Sequence, residues 1–230
     1  ADKNYSINHH AFFGYFKKHK NLPYELHFTK PEGMFGATPL KTVQKDATHD
    51  ILYANNYVHL VDNPVMFSEP DTMSFQVKNT KVLVSVYSPN EVVTAEQLTG
   101  YLLPLGSALG NFFGKMPVDQ YHFLFYFSDP NSSIMQNKEN LGGFGALEHS
   151  YSSFYYLPEM NYEPALKTMV QDVCAHEFLH ILTPLNIHSE EIEDFNFIKP
   201  KMSQHLWMYE GITEYFAMLI QVRDGVIDEE

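Results

Sequence analysis

The segment 175-AHEFLH-180 constrains the fold of this chain more than any other segment. Positions i and i+4 lie on the same face of an α-helix, one turn apart. On a helix, His176 and His180 can therefore direct two ring nitrogens at one metal ion about 2 Å away. Glu177, rotated by about 100° around the helix axis, faces metal-bound water. The spacing predicts a helix that carries a zinc site.

Zinc chemistry explains why a glutamate belongs beside the first histidine. A zinc ion lowers the pKa of bound water from about 15.7 to about 7. A neighbouring carboxylate can then accept the proton of that water during attack on a peptide carbonyl, and we assign this role to Glu177. The alternative is a pair of hydrogen-bonded histidines on an amphipathic helix. With twelve histidines in the chain, that pattern arises by chance on the order of a few per cent of the time.

A zinc site of this kind needs a third protein ligand, and two places compete for it. One class of zinc peptidase uses a histidine six residues past the second one, after a glycine turn. Here those two positions hold Thr183 and Asn186, and His188 is near but out of register. The other class uses a glutamate from a separate helix, and 207-WMYEGITEYFA-217 supplies Glu210. We predict that Glu210 is the third ligand.

The surroundings of the two candidates in the sequence favour Glu210. It lies among the aromatic residues of its segment, where an unpaired buried carboxylate would cost several kcal/mol without a cation. His188 precedes a run of acids, so we expect it in an exposed loop. Glu214, one helical turn past Glu210, can accept the outer ring N–H of a ligand histidine and fix its tautomer.

Composition excludes several other classes of function. The formal net charge of −13 argues against a nucleic-acid or phosphate-binding surface. Arg223 is the single arginine, so bidentate arginine clamps are absent from the chemistry. No apolar run reaches the roughly 20 residues that cross a bilayer, so we expect no transmembrane segment. Cys174, the one cysteine, excludes an internal disulfide framework, and we expect it in the core.

Hydrophobic periodicity predicts an α+β chain. The predicted strands are 73–77 and 81–87, joined as a hairpin, followed by 121–128 and 151–158. A helix is predicted after the N-cap residue Thr94, with a kink at Pro104. The helix with the two histidines has Pro164 in its first turn, and a further helix spans about 205–223.

Three blocks in this order resemble the gluzincin metallopeptidases, and within them the glycyl aminopeptidase family. They are 142-GGFGALEHS-150, 175-AHEFLH-180 and 207-WMYEGITEYFA-217, with looser similarity in 22-LPYELHF-28 and 62-DNPVMFSEPDTMSF-75. The resemblance implies a thermolysin-like α+β fold with a mixed sheet and active-site helices. It also implies a zinc-dependent aminopeptidase that hydrolyses peptides, with small N-terminal residues such as glycine and alanine preferred.

The resemblance further implies how the chain is organised. Residues 1–45 would form the C-terminal part of a β-rich domain, and residues 46–230 the first half of the catalytic domain. The helical subdomain, a PDZ domain and the residue that polarises the substrate carbonyl would then lie past Glu230, so we expect this fragment alone to be inactive. An exported or periplasmic location is expected, and the sequence leaves the oligomeric state open.

The block 142–150 is implied to be the sheet edge that lines the cleft. There, the backbone groups of Gly145 and Ala146 can pair with an extended peptide. Glu148 matches the position that meets the free α-amine of the substrate; otherwise it is an exposed edge glutamate. His149 would point to the opposite face of a regular strand.

The segment 181-ILTPLNIHSEEIEDF-195 departs from the family pattern. Family members commonly have a tryptophan and a basic run after the second histidine, so the preferred substrate can differ from that of the family. The acidic residues 189–194 are expected to form a solvated loop. Two alternatives stay open: a catalytically weak peptide-binding protein that retains the zinc fold, and an endopeptidase.

Overall fold

The computed structural model describes residues 4–132 and 143–228 of the chain. Its strands are β1 (Asn4–Ile7), β2 (Tyr24–Thr29), β3 (Phe35–Ala37), β4 (Lys41–Asp46), β5 (His49–Ala54), β6 (Val65–Ser68), β7 (Thr72–Val77), β8 (Thr80–Tyr87), β9 (Gln120–Ser128), β10 (Gly145–Glu148) and β11 (Ser152–Pro158). Its α-helices are α1 (Tyr57–Val61), α2 (Ala95–Phe113), α3 (Glu163–Leu179), α4 (Glu190–Glu193) and α5 (Leu206–Arg223), with one 3₁₀-helix at His9–Ala11. The mixed α and β class predicted from the sequence is confirmed.

A five-stranded mixed sheet forms the centre of the molecule, in the order β10-β11-β9-β8-β7. The inner strands β11, β9 and β8 are parallel, and each edge strand is antiparallel to its neighbour. The predicted hairpin is the pair β7 and β8, whose turn contains Lys78 at φ 50°. Lysine tolerates this left-handed conformation in a tight turn at a modest energetic cost.

Three helices cover one face of the central sheet. Every second residue of β9 points towards this face. Tyr121, Phe123, Phe125 and Phe127 are all buried on that face, as the two-residue period of a strand requires. Phe178 of α3 packs against Tyr121 with ring centroids 4.7 Å apart. α2 and α5 complete the same apolar core. The C-terminal end of α3 is thereby fixed beside the sheet.

The long helices follow the sequence prediction. Thr94 caps α2, because its hydroxyl accepts the backbone N–H of Gln97 at 3.2 Å. The helix continues through Pro104, and the kink predicted there stays a prediction. α3 begins at Glu163 with Pro164 in its first turn, and Cys174 lies fully buried in the core, as predicted. No helix among the described residues has the length and apolar character needed to span a membrane.

Two smaller antiparallel sheets precede the central one, in the orders β1-β6-β3 and β2-β5-β4. A separate apolar core that includes Leu26, Leu52 and Phe67 lies between them. We refer to residues 4–68 as the N-terminal unit. The division at residue 45 stays a prediction; the pairing of β4 with β5 and of β3 with β6 crosses that point.

Candidate metal centre

The end of α3 brings two histidine rings together. The Nε2 atoms of His176 and His180 are 3.1 Å apart, and the ring planes are inclined at 85°. His180 is buried at the C-cap of the helix, whereas His176 is partly exposed. The i, i+4 spacing therefore has the geometric result that the sequence predicts.

Helix α5 places Glu210 against the same two nitrogens. Its Oε2 lies 3.1 Å from Nε2 of His176 and 3.6 Å from Nε2 of His180. Ligand atoms about 2.0–2.2 Å from a tetrahedral zinc ion would be about 3.3–3.6 Å from one another. The three donor atoms lie within about 0.2 Å of that spacing.

Hydrogen bonds on the outer side of each ring show which nitrogen carries the proton. Nδ1 of His176 is 2.9 Å from Oε2 of Glu214, and Nδ1 of His180 is 2.9 Å from the backbone carbonyl of Thr183. A carboxylate and a carbonyl can only accept, so each neutral ring has its N–H at Nδ1 and a lone pair at Nε2. With both rings neutral, two lone pairs and a carboxylate oxygen converge without a donor. A cation fits that set.

The expected burial of Glu210 is wrong. Its side chain is 48% exposed, and the neighbouring Trp207 is 74% exposed. The reason is the orientation of α5, whose buried face includes Tyr209 and Ala217 instead. The donor geometry, and not the cost of a buried charge, is what points to a cation at Glu210.

Glu177 lies on the inner side of the site and is 7% exposed. Its Oε2 is buried, with no hydrogen-bond partner among the described residues. Burial raises the pKa of Glu177 to about 7. The negative charges of Glu148 and Glu210 also raise this pKa, whereas His176 lowers it. A carboxylate whose pKa lies near neutral is matched to the work of a general base.

The edge strand β10 forms the neighbouring wall. Gly145 and Ala146 pair with β11 on one side, and none of the described strands pairs with the other side. A carboxylate oxygen of Glu148 lies within 4.8 Å of Glu177 and of a ring nitrogen of His180. Of the block 142–150, the residues Gly145–Glu148 form an edge strand; its pairing with a peptide stays a prediction, and Gly142 lies outside the described residues.

His149 follows Glu148 but faces a different part of the molecule. It is buried, and its Nδ1 is 3.6 Å from Oδ1 of Asp62 in the N-terminal unit. The same carboxylate accepts the backbone N–H of Ser150 at 3.3 Å. This contact ties the end of β10 to the N-terminal unit, and nothing in the local sequence indicated it.

His188 joins neither donor set among the described residues. It is half-buried instead of exposed, and its Nδ1 donates to the carbonyl of Pro184 at 2.7 Å. The acidic run that follows was predicted as a solvated loop, but it forms the short helix α4, none of whose residues is buried. Ser189 precedes α4 and donates its backbone N–H to the hydroxyl of Tyr209 at 2.8 Å.

Comparison with known protein families identifies the chain. The model of the M61 glycyl aminopeptidase matches residues 169–230, and that of the peptidase M61 N-terminal domain matches residues 1–69. The chain belongs to the M61 peptidase family. The matched segment 169–230 of this M61 chain contains both histidines, Glu177, Glu210 and Glu214. Glu148 lies between the two matched segments.

A solved structure supports the fold of the M61 chain. It is the crystal structure of an aminopeptidase N family protein from Idiomarina loihiensis, with a TM-score of 0.69 and 23% sequence identity. The match covers 91% of this chain and 35% of that protein, so the M61 chain spans about a third of its length. A search of curated proteins gives no match.

Two contacts of the M61 site cannot be predicted from a sequence motif. The carbonyl that accepts from His180 belongs to the backbone of Thr183, and a backbone group has no signature in the residue type. The unpaired edge of β10 likewise depends on which strands pair, and pairing is a long-range property. The histidine spacing could be predicted from helical geometry, and the carboxylates of α5 from the pattern of zinc peptidases that take their third ligand from a separate helix.

Proposed function

We propose that this M61 chain contains the zinc centre of an aminopeptidase. The observation that supports the proposal is the convergence of two Nε2 lone pairs and the Glu210 carboxylate beside the buried, unpaired Oε2 of Glu177. His176, His180 and Glu210 would hold the ion. Zinc, when bound, lowers the pKa of its water to about 7 and polarises the substrate carbonyl.

Glu177 is the general base in this proposal. Its carboxylate, buried and without another hydrogen-bond partner among the described residues, can accept a proton from the attacking water and release that proton towards the leaving amine. Its burial also keeps bulk water from solvating the carboxylate, which strengthens its interaction with the reacting groups. Glu177 is not needed as a ligand, because the other three residues complete a donor set.

The wall formed by β10 would bind the peptide. An extended substrate can add to the unpaired edge through the backbone groups of Gly145 and Ala146. Glu148 and Glu177 place two carboxylates within 4.8 Å of each other, and an ammonium group is a natural partner for such a pair. Glu148 would therefore bind the free N-terminus of the substrate. The preference for small first residues such as glycine and alanine is proposed from the resemblance to the glycyl aminopeptidase family.

The substitution Glu177→Gln in the full-length gene product tests the chemical step. We expect zinc content to be retained, because the three ligands are untouched, while peptide hydrolysis falls by about 10²- to 10⁴-fold. Metal analysis and hydrolysis of alanyl and glycyl chromogenic substrates measure the two properties. Glu193→Gln, an exposed glutamate of α4, is the matched control and should behave as wild type. Turnover retained by a zinc-replete Glu177→Gln variant would remove the general-base role.

The substitution Glu148→Gln tests recognition of the N-terminus. We expect KM for peptides with a free amine to rise more than KM for the same peptides after N-acetylation, because only the free ammonium pairs with the carboxylate. Wild-type enzyme should also cleave acetylated peptides poorly. Efficient wild-type cleavage of acetylated peptides would instead identify an endopeptidase, and equal changes in KM would show that Glu148 is only an edge residue.

A further inference from the structure

A buried threonine of α5 lies behind the ring of His180. Thr213 is 1% exposed, and its Oγ1 is 3.3 Å from Nδ1 of His180 and 3.3 Å from the carbonyl oxygen of Thr183. The same carbonyl is 2.9 Å from Nδ1 of His180. The three polar atoms form a closed triangle on the side of the ring opposite Nε2.

The chemistry of these groups fixes the directions of the hydrogen bonds. The Thr183 carbonyl has two lone pairs and no proton, so His180 donates its Nδ1–H to it and the hydroxyl of Thr213 donates to it as well. The turn around this carbonyl is held by two further bonds. Leu185 donates its N–H to the carbonyl of His180 at 3.1 Å, and the side chain of Asn186 donates to the carbonyl of Ile181 at 2.8 Å.

We propose that Thr213 is a positioning residue for His180. Its hydroxyl holds the Thr183 carbonyl in line with Nδ1, and that carbonyl fixes the tautomer and the direction of Nε2. The inference rests on the proposed zinc centre. Partners of this kind on the outer side of metal-ligating histidines are general features of metal sites.

The placement of Thr213 on α5 adds a second consequence. The carboxylate of Glu214 accepts a hydrogen bond from Nδ1 of His176. The hydroxyl of the neighbouring Thr213 lies beside Nδ1 of His180. Consecutive positions on one helix therefore reach two different histidines of α3, while Glu210 on the same helix completes the donor set. A shift of α5 along α3 would disturb all three contacts together.

The affinity for zinc in three variants tests the inference, measured by competition with a chelator. Thr213→Val keeps the branched shape and removes the hydroxyl, and we expect zinc to bind about 10-fold more weakly. Thr213→Ser retains the hydroxyl and should restore most of the affinity. Thr99→Val is the matched control, because Thr99 is also buried in a helix and its hydroxyl has no partner among the described residues. That control should bind zinc as wild type does.

The melting temperature of the metal-free protein separates positioning from simple packing. Thr213→Val with a lowered melting temperature but unchanged zinc affinity would overturn the inference, as would a Ser variant that fails to restore binding. If the valine variant does not fold, Thr213→Ala removes the same hydroxyl without adding a methyl group. We expect zinc to bind about 10-fold more weakly to this variant as well. A wild-type protein that binds no zinc overturns the proposed function as well, whereas normal zinc binding by Thr213→Val overturns only the role of Thr213.

Discussion

Glu210 is the residue on which the zinc proposal depends, and its exposed side chain can be replaced without disturbing the core. We expect Glu210→Gln to lose most of the zinc, because the amide lacks the charge of the carboxylate ligand. Glu214→Gln should weaken zinc binding by about 10- to 100-fold, since it only supports His176. His188→Ala should have no effect. Zinc content and competition with a chelator measure all three.

The pattern among these variants also tests the competing donor set of Glu148, Glu177 and His180. If that set held the ion, Glu148→Gln would empty the site while Glu210→Gln left it filled. A site emptied by His188→Ala but left filled by Glu210→Gln would instead require a metal bound by three histidines. Either result would remove Glu210 from the mechanism.

At the scale of single residues, the sequence predicts the contacts that follow from helical geometry. The spacing of His176, Glu177 and His180 follows from 3.6 residues per turn, and the contact of Glu214 with His176 follows from the position of Glu214 one turn past Glu210. The environment of Glu210 could not be predicted in the same way. Its exposure depends on how α5 is rotated against α3, which is a property of packing between elements.

At the scale of elements, two glycines of α2 provide a matched test of packing. A Cβ atom at Gly106 would lie 2.8 Å from Cγ2 of Val77 and 3.2 Å from Phe75, whereas a Cβ at Gly100 meets nothing within 4 Å. We expect Gly100→Ala to stabilise the protein by about 0.5–1 kcal/mol through helix propensity. Gly106→Ala gains the same propensity but overpacks the contact with β7, at a cost of about 1–3 kcal/mol.

Urea unfolding of the two glycine variants measures the difference directly. The free energy of unfolding should be lower for Gly106→Ala than for Gly100→Ala by about 1–3 kcal/mol. Equal stabilities would show that α2 and β7 separate easily, so that their packing contributes little to the core. The comparison is internal to one helix, so helix propensity cancels.

Helices and strands could be predicted where one of their faces is apolar. For α5, the buried face could not be predicted in this way. Leu206, Tyr209, Ile212, Phe216 and Leu219 recur at helical spacing on or near one face. Other apolar residues surround the helix, however, so periodicity alone does not select the face that is buried. In the structure Tyr209 is buried and Phe216 packs partly against the core, while the other three are more than a third exposed.

At the scale of the whole molecule, strand pairing in the N-terminal unit is the least predictable feature. β1 pairs with β6, although Asn4 and Ser68 are far apart in the chain. No local pattern encodes such a pairing, because the partner is selected by the hydrophobic faces that the complete fold buries. We propose that the boundary of this unit follows Ser68, since every strand before that residue pairs within the two small sheets.

Phe197 joins the N-terminal unit to the segment between α3 and α5. Its ring centroid lies 5.2 Å from that of Tyr57 and 5.6 Å from that of His10, and Nζ of Lys20 lies 5.1 Å above the ring. Lys20 also donates to the carbonyl of Phe195 at 3.3 Å. The chain that connects His180 to Glu210 is thus anchored outside α3 and α5.

Removal of this anchor should loosen the connecting segment. Aromatic contacts contribute about 0.5–1.5 kcal/mol each, so we expect Phe197→Ala to lower the free energy of unfolding by about 1–3 kcal/mol. Limited proteolysis should then cut residues 189–205 faster than in wild type. The neighbouring Ile198 is 72% exposed, and Ile198→Ala should leave both properties unchanged. Equal cleavage in the two variants would show that Phe197 does not anchor the segment.

The buried position of Cys174 makes the molecule suitable for spectroscopic labelling. Burial raises the pKa of its thiol, so the thiol stays protonated and unreactive towards maleimide or nitroxide reagents. Because the chain has no other cysteine, a thiol introduced at an exposed position such as Ile198 would be the one group that takes up a probe. The mobility of the segment between α3 and α5 can then be followed while the core of the protein is unchanged.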